Sequence, residues 1–194
     1  MQRRAQDQFQ RVFIFGGQSD TGFERDVHVL NVSLSHENGL VRVESRRLAD
    51  MPGPASARAG HCAVAVDDSV VVFGGMGVGQ LVMNDVHVYD AIKDEWTLPR
   101  VAGTAPRGRW CHSSHLVERD LLVFGGWVYV TGMGQRHTFL NDLHVLNVDT
   151  MVWSEVDTVG AVPRALCQAP CFHVPRCVCV CDLMNFKQYV VNGW

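Results

Sequence analysis

The triplet Phe-Gly-Gly occurs three times in this chain, each time at the end of an apolar run. The three runs are Val12–Gly17, Val70–Gly75 and Leu121–Gly126. Their first glycines, at positions 16, 74 and 125, are 58 and 51 residues apart. A period of this size indicates a fold made of stacked copies of one supersecondary unit.

Further residues keep the same register. An Asp-apolar-His-Val motif follows each glycine pair, beginning at Asp26, Asp85 and Asp142. In the second and third copies a tryptophan lies 11 residues after the aspartate, at Trp96 and Trp153, with glycine 7 and proline 10 residues later. Upstream of the glycines, Arg58 and Arg109 each stand three residues before a histidine, at His61 and His112.

Each period contains four short segments rich in β-branched and aromatic residues, separated by turn residues, which predicts four strands. In chain order we name them A, B, C and D. In strand C, Val86 and Val88 alternate with His87 and Tyr89, so the two pairs should face opposite sides of a sheet. The predicted strands are A at 58–66 and 109–117, B at 69–75 and 120–126, C at 85–90 and 142–148, and D at 95–98 and 152–156.

In this combination the motifs resemble the kelch-repeat family. The resemblance implies an all-β fold, a kelch-type β-propeller whose small sheets pack face to face around an axis. Paired glycines permit positive φ where strand B ends, and a tryptophan on the outer strand should fill the gap between adjacent sheets. The predicted structural residues are Gly16, Gly17, Gly74, Gly75, Gly125, Gly126, Trp96 and Trp153.

The propeller is expected to be incomplete, with three four-stranded blades and a degenerate fourth. Kelch repeats are predicted over 11–165, with blades at about 11–50, 58–98 and 107–156; residues 164–194 are interpreted as a degenerate fourth blade or an aberrant Cys-rich tail. Blade 1 has Glu37 where tryptophan is expected, lacks a strand A, and should form strand D at 40–44. Pro170 falls where the innermost strand of a fourth blade would lie. Two further explanations are that the chain is a fragment of a longer kelch protein and that another chain closes the ring.

Because successive strands reverse direction, the B–C and D–A connections should emerge at one end of the blades. The B–C connections are predicted at 18–25, 76–84 and 127–141, and the last contains residue types common in binding hot spots. The predicted partner-binding residues are Arg25, Arg58, Arg107, Arg109, Trp127, Tyr129, Arg136 and His137. For residues 127–130 the alternative is that they prolong the strand and pack on a neighbour.

The recurring Arg58, Arg109 and Arg164 allow two interpretations. Guanidinium groups facing one mouth could bind an acidic peptide segment, as the resemblance to some kelch adaptors implies. A structural role, in which each arginine bonds a loop of a neighbouring blade, is the favoured explanation of the repetition. We therefore expect a protein partner, with an acidic segment as one form of it. Self-association to close the ring is a further expectation.

No catalytic constellation is expected, and no cofactor or metal. His28, His87 and His144 lie at equivalent positions of different blades and need not converge. His61 and His112 are interpreted as hydrogen-bonding residues between blades. Cysteines 167, 171, 177, 179 and 181 do not match the usual zinc spacing. Two alternatives to a binding module are a small-molecule enzyme on a kelch propeller, of the mutarotase, specifier or oxidase kind, and an inactive fragment of a longer kelch protein.

Charge and composition narrow the partner classes. The formal net charge of −3 gives no general reason to expect binding to nucleic acid or anionic lipid. The sequence contains no apolar run of about 18 residues, so a membrane-spanning helix is not expected. Seven cysteines, five of them crowded into 167–181, favour reduced thiols and a cytoplasmic or nuclear location.

Overall fold

In a computed structural model the chain folds into successive small antiparallel sheets. The structure describes residues 9–34, 41–48, 53–130, 136–157, 159–161, 171–174, 177–182 and 187–192. Within these ranges no helix is long and apolar enough to cross a membrane. The strands fall into three blades and a C-terminal sheet.

Blade 1 is a sheet of three strands in the order β1-β4-β5. A short hairpin, β2 with β3, lies between β1 and β4. The strands are β1 (Phe9–Phe15), β2 (Gln18–Ser19), β3 (Gly22–Phe23), β4 (Val27–Leu34) and β5 (Val41–Leu48). Strand β5 overlaps the predicted strand D and continues four residues beyond it. Leu40 and Glu37 lie outside the described residues.

Blade 2 is the complete unit, with four antiparallel strands paired in chain order. A 3₁₀ turn, Val78–Gln80, lies in its B–C connection. The strands are β6 (Cys62–Val66), β7 (Ser69–Phe73), β8 (Val86–Asp90) and β9 (Glu95–Thr97). Strand A begins later than predicted because Gly60 adopts a φ of 64°, which interrupts extended backbone.

Blade 3 repeats this sheet and adds a parallel edge strand, in the order β10-β16-β15-β12-β11. Its B–C connection folds into a separate hairpin, β13 with β14. The strands are β10 (Ala102–Gly103), β11 (Ser113–Val117), β12 (Asp120–Phe124), β13 (Trp127–Val130), β14 (Arg136–Phe139), β15 (Leu143–Asn147) and β16 (Val152–Glu155). As in blade 2, strand A starts later than predicted.

The segment interpreted as a degenerate fourth blade or tail contains a sheet of three antiparallel strands. They are β17 (Cys171–Val174), β18 (Cys177–Asp182) and β19 (Lys187–Asn192). Pro170, Cys167 and Arg164 lie outside the described residues. The boundaries of this unit stay a prediction.

The blades pack face to face, and each interface has its own apolar core. Strand β7 supplies both: Val70 and Val72 join the core shared with blade 1, while Val71 and Phe73 join the core shared with blade 3. The predicted alternation in strand C is confirmed in the same way, since Val86 lies in the second core and Tyr89 in the first.

The tryptophans fill the gaps between blades, as predicted. The ring of Trp96 in blade 2 lies 4.7 Å from that of Phe15 in blade 1, and Trp153 in blade 3 lies 4.9 Å from Phe73 in blade 2. Gly103, seven residues after Trp96, also has a packing reason. A Cβ on Gly103 would lie 2.1 Å from the carbonyl oxygen of Trp153, so only glycine allows this approach.

Across the described residues the stack of blades is not closed into a ring. Val12 and Ile14 occupy the positions in blade 1 that Val70 and Val72 occupy in blade 2. They are 44% and 48% exposed, against 7% and 0% for their counterparts. The fold is therefore an incomplete β-propeller, as the resemblance implied.

Candidate functional site

The glycine pairs form the joints between blades at the end where the B–C connections leave the sheets. Gly74 has a φ of 67°, and its amide donates to the carbonyl of Asp85 at 3.2 Å. The amide of Gly75 donates across the interface to the carbonyl of Arg109 at 2.9 Å. Gly17 makes the same bond to Arg58 at 2.8 Å. The paired glycines therefore join the B–C connections of blades 1 and 2 to the next blade.

Arg58 is fully buried at the entrance to strand A of blade 2. Its Nη1 donates to Oδ1 of Asp85 at 2.7 Å and to the carbonyl of Gly74 at 3.0 Å, and its Nη2 donates to Oδ2 of Asp85 at 2.9 Å. Nε2 of His87 lies 2.6 Å from the same Oδ2. Although burial opposes ionisation, the hydrogen bonds from His87 and Arg58 hold the pKa of Asp85 well below its usual value.

Blade 3 contains the same arrangement. Arg109, also fully buried, donates through Nη1 to Oδ1 of Asp142 and through Nη2 to Oδ2, both at 2.8 Å, and through Nη1 to the carbonyl of Gly125 at 2.9 Å. Nε2 of His144 lies 3.0 Å from Oδ2 of Asp142. Burial raises the pKa of Asp142, but the bonds from Arg109 outweigh it and lower the pKa to about 2.

These contacts correct the expectation that Arg58 and Arg109 face a partner at the mouth of the ring. Neither side chain has exposed area, and each guanidinium is bonded to an aspartate and a carbonyl of its own blade. A structural role accounts for both residues, although the bonds lie within one blade and not with a neighbouring one. Arg58 and Arg109 are therefore not available for contact with a partner.

The histidines of strand A pack between blades as rings. The ring of His61 lies 5.2 Å from Phe15, and that of His112 lies 5.3 Å from Phe73. The prediction of hydrogen bonds is wrong for His112, because both its ring nitrogens are buried without a partner among the described residues. Burial, helped by the charge of Arg109, lowers the pKa of His112 to about 3. Burial and Arg58 likewise lower the pKa of His61 to about 4.

An aromatic cluster lies where the D–A and B–C connections of blade 3 meet. The amides of Trp110 and Trp127 donate to each other's carbonyls at 3.2 and 3.1 Å, and their rings stack at 4.2 Å. Tyr129 stacks at 6.4 Å from Trp110, and Phe139, which is 50% exposed, lies 6.1 Å from Trp127. We call these four residues the aromatic cluster. These contacts confirm that the two kinds of connection share one end.

Residues 127–130 do more than prolong strand B. They form β13, which pairs with β14 and not with the blade, and alternation places Trp127 and Tyr129 on one face of this hairpin. Trp110 and Phe139 were not among the predicted contact residues. The sequence signal for Phe139 was Gly132 and Gly134 between two short segments, since glycines there favour a hairpin; Phe139 pairs with Trp127.

The remaining predicted contact residues also lie in B–C or D–A connections. Arg25 and Arg107 are exposed, in the B–C connection of blade 1 and the D–A connection before blade 3. Arg136 and His137 begin β14. Within the described residues no group of three or more His, Cys, Asp or Glu could hold a metal.

Comparison with known proteins agrees with this architecture. The family model described as the KLHDC2/KLHL20/DRC7 Kelch-repeats domain matches residues 5–191. Kelch domain-containing protein 3 of Homo sapiens is 31% identical over 159 residues, covering 79% of this chain and 40% of that protein. The host cell factor of Drosophila melanogaster is 27% identical over 177 residues, covering 80% of this chain and 12% of that protein.

Among solved structures, that of YjhT has a TM-score of 0.55 at 17% identity, covering 93% of this chain and 66% of that chain, a likeness of fold alone. The chain spans less than half the length of Kelch domain-containing protein 3 and of the host cell factor. With its repeated glycine pairs, inter-blade tryptophans and a family match over nearly its whole length, this chain belongs to the kelch-repeat family.

Proposed function

We propose that this chain is a protein-interaction module and that the aromatic cluster forms the centre of its contact surface. The observation that carries the proposal is the stacking of Trp110, Trp127, Tyr129 and Phe139 at the junction of two connections. Aromatic side chains that are partly exposed and held rigidly dominate the energy of protein interfaces. The similarity to kelch-domain proteins supports the same class of function.

The position of the cluster also favours a binding role. It lies on connections between strands, which vary in length from blade to blade and are the usual place for binding residues. Blade 3 has the longest B–C connection, and there the chain builds a hairpin instead of an irregular loop. The aromatic cluster is therefore presented by connections that are anchored on the sheets of the blades.

An acidic segment stays one form of the proposed partner. With Arg58 and Arg109 buried, an acidic segment could be bound by Arg25, Arg107, Arg136 and His137, which stay predicted contacts. The cytoplasm or nucleus stays the proposed compartment. Cys62, which is buried and not joined in a disulfide, is consistent with it.

The test compares three variants in the intact chain. Partners captured by the wild type are identified, and the affinity of the purified partner is then measured by calorimetry. Tyr129→Ala and Phe139→Ala should each weaken binding at least 10-fold, as hot-spot truncations do. Ile92→Ala is the matched control. Ile92 is 66% exposed in the C–D turn of blade 2, at the end of the blade away from the B–C and D–A connections.

A melting curve of each variant separates folding from binding. The two aromatic variants should melt close to the wild type, since Phe139 is half exposed. Unchanged affinity in both aromatic variants, or an equal loss in Ile92→Ala, would contradict the proposed surface.

A further inference from the structure

Three aromatic residues of blade 3 lie side by side on neighbouring extended segments. Trp110 bridges Trp127, and Trp127 pairs in turn with Phe139 across the hairpin of β13 and β14. Residues directly opposite each other project to the same face of a sheet. The rings accordingly stack at 4.2 Å between Trp110 and Trp127 and at 6.1 Å between Trp127 and Phe139. The three rings therefore form an aromatic ladder that ends at Phe139.

Blade 2 shows that this joint forms without an aromatic ladder. There Ala59 bridges Met76, and Met76 bridges Val82, as isolated pairs. Ala59 follows the buried arginine of its blade and Met76 follows the glycine pair, as Trp110 and Trp127 do in blade 3. The B–C connection of blade 2 contains no aromatic residue. The rings, and a hairpin with strands of four residues each, are thus additions that the joint itself does not need.

The outer strand of the hairpin has a free edge. Within the described residues β13 and β14 form a sheet of two strands, so β14 has a strand neighbour on one side only. At the base of the hairpin the amide of Leu140 donates to the carbonyl of Gly126 at 2.8 Å. Since bonded and non-bonded pairs alternate in an antiparallel ladder, the amides and carbonyls of His137 and Phe139 point away from β13. This edge can therefore accept a further strand.

The end of the aromatic ladder leaves apolar surface beside this edge. Phe139 is 50% exposed, whereas Val128, on the opposite face of the hairpin, is 6% exposed. One face of the hairpin is thus buried against the protein, and the end of the aromatic face stays open. A residue opposite Phe139 on an added strand would lie about 5 Å away, the spacing of neighbouring strands. A large apolar side chain at this position would continue the ladder and cover the exposed ring.

We propose that β14 binds an extended segment of a partner protein as a third, antiparallel strand of this hairpin, with an aromatic or large aliphatic side chain opposite Phe139. The inference rests on the proposed function, because it assigns the way in which the aromatic cluster binds its partner. Main-chain bonds to His137 and Phe139 supply affinity, and the contact with the Phe139 ring supplies specificity. A sheet of two strands is only marginally stable, so the third strand also stabilises the hairpin.

The probe is a fluorescein-labelled peptide, Lys-Thr-Val-Thr-Trp-Thr-Val-Thr-Lys, which favours an extended conformation and carries its apolar residues on one face. Its binding to the intact chain is followed by fluorescence anisotropy up to about 0.1 mM of the chain. We expect saturable binding, and a loss of about 10-fold when the central tryptophan of the peptide is replaced by alanine. Absence of saturable binding, or equal binding of the alanine peptide, would overturn the proposal.

Two N-methylated copies of the peptide separate main-chain bonding from aromatic contact. In the proposed pairing the amides of its tryptophan and valines point towards β14, and the amides of its threonines point away. Methyl groups on the tryptophan and valine nitrogens should weaken binding about 10-fold or more, because several hydrogen bonds are lost. Methyl groups on the threonine nitrogens should weaken it less. Equal affinities of the two copies would contradict strand addition.

Variants of β14 locate the docking edge. His137→Pro removes an outward-facing amide, and edge strands tolerate proline where its nitrogen faces solvent. His137→Ala is the matched variant, because it keeps this amide. The alanine variant should bind the peptide about 10-fold more tightly than the proline variant, and melting curves establish that both are folded. Equal binding by the two variants would place the peptide elsewhere.

The outcomes also distinguish this inference from the proposed function. If Tyr129→Ala and Phe139→Ala lose the captured partner while the two methylated peptides bind equally, the contact surface stands and strand addition is wrong. If neither variant loses the partner, the contact surface itself is wrong. A dimer of the chain that His137→Pro disrupts and that excludes the peptide would overturn the partner protein in favour of a second copy.

Discussion

The ring of Trp153 lies 4.9 Å from the ring of Phe73, one blade earlier in the chain. Trp96 and Phe15 repeat this contact at 4.7 Å. Both tryptophans come from an outer strand, and both phenylalanines end strand B immediately before a glycine pair. The tryptophan of each blade thus completes the apolar core that this blade shares with the preceding one.

Trp153→Ala should lower the free energy of unfolding by about 3–5 kcal/mol, because it leaves a large cavity in a core with almost no exposed area. Trp153→Phe should cost less, since an aromatic ring remains against Phe73. Urea unfolding followed by circular dichroism measures both. A loss for the alanine variant no larger than for phenylalanine would show that the indole does not fill the interface.

Gly74→Ala should destabilise the chain more strongly than Gly79→Ala. Both glycines have positive φ, 67° and 71°, so both substitutions strain the backbone. Only at Gly74 would the new Cβ also lie 2.8 Å from the carbonyl oxygen of Arg109 in the next blade. The difference in melting temperature between the two variants isolates this close approach, and equal melting temperatures would contradict it.

Asp142→Asn should destabilise the chain by about 3–5 kcal/mol, because the buried guanidinium of Arg109 loses its counter-charge. Arg119→Ala is the control, since Arg119 pairs with Asp67 and Asp149 at an exposed site and its loss should change stability little. Thermal and urea unfolding give the comparison. Similar losses in the two variants would show that the buried pair has no special weight.

Stability should fall as the pH decreases from about 6.5 to 4. His112 has a folded pKa of about 3, below the value near 6.5 of an unfolded chain, so the unfolded state binds the extra proton in this interval. One such proton changes the free energy of unfolding by about 1.4 kcal/mol per pH unit. The carboxylate of Asp142, with a pKa of about 2, stays ionised there and contributes its loss only at lower pH.

His112→Phe tests this assignment, because the ring can keep its contact with Phe73 while the titrating group is removed. The slope of stability against pH should decrease by about one proton relative to the wild type. An unchanged slope would place the proton uptake elsewhere. His61, with a pKa of about 4, should contribute in the same direction in both proteins.

Much of the sheet architecture could be predicted from the sequence, because strands B, C and D repeat with short-range alternation and glycine or tryptophan at fixed positions. The start of strand A could not, since the positive φ of Gly60 and Cys111 reflects contacts with a neighbouring blade. For Arg58 the sequence also left two roles open, contact with a partner and a bond within the fold. Its partner Asp85 is 27 residues away in the chain, and only the fold brings the two charges together.

The aromatic cluster was predictable in part. Trp127 and Tyr129 stood out by residue type, whereas Trp110 belongs to a different connection and joins them through a bridge between two loops. Phe139 depended on pairing across a turn whose length the sequence pattern did not define. The strands of each repeat can thus be predicted from residue spacing, whereas contacts between connections depend on the folded structure.

The alternation along β7 has a consequence for how this molecule unfolds. Since adjacent residues of this strand enter different cores, melting blade 2 removes packing from blades 1 and 3 in a single event. The cooperativity of the stack therefore passes through its middle sheet, in the manner of nearest-neighbour coupling along a one-dimensional array.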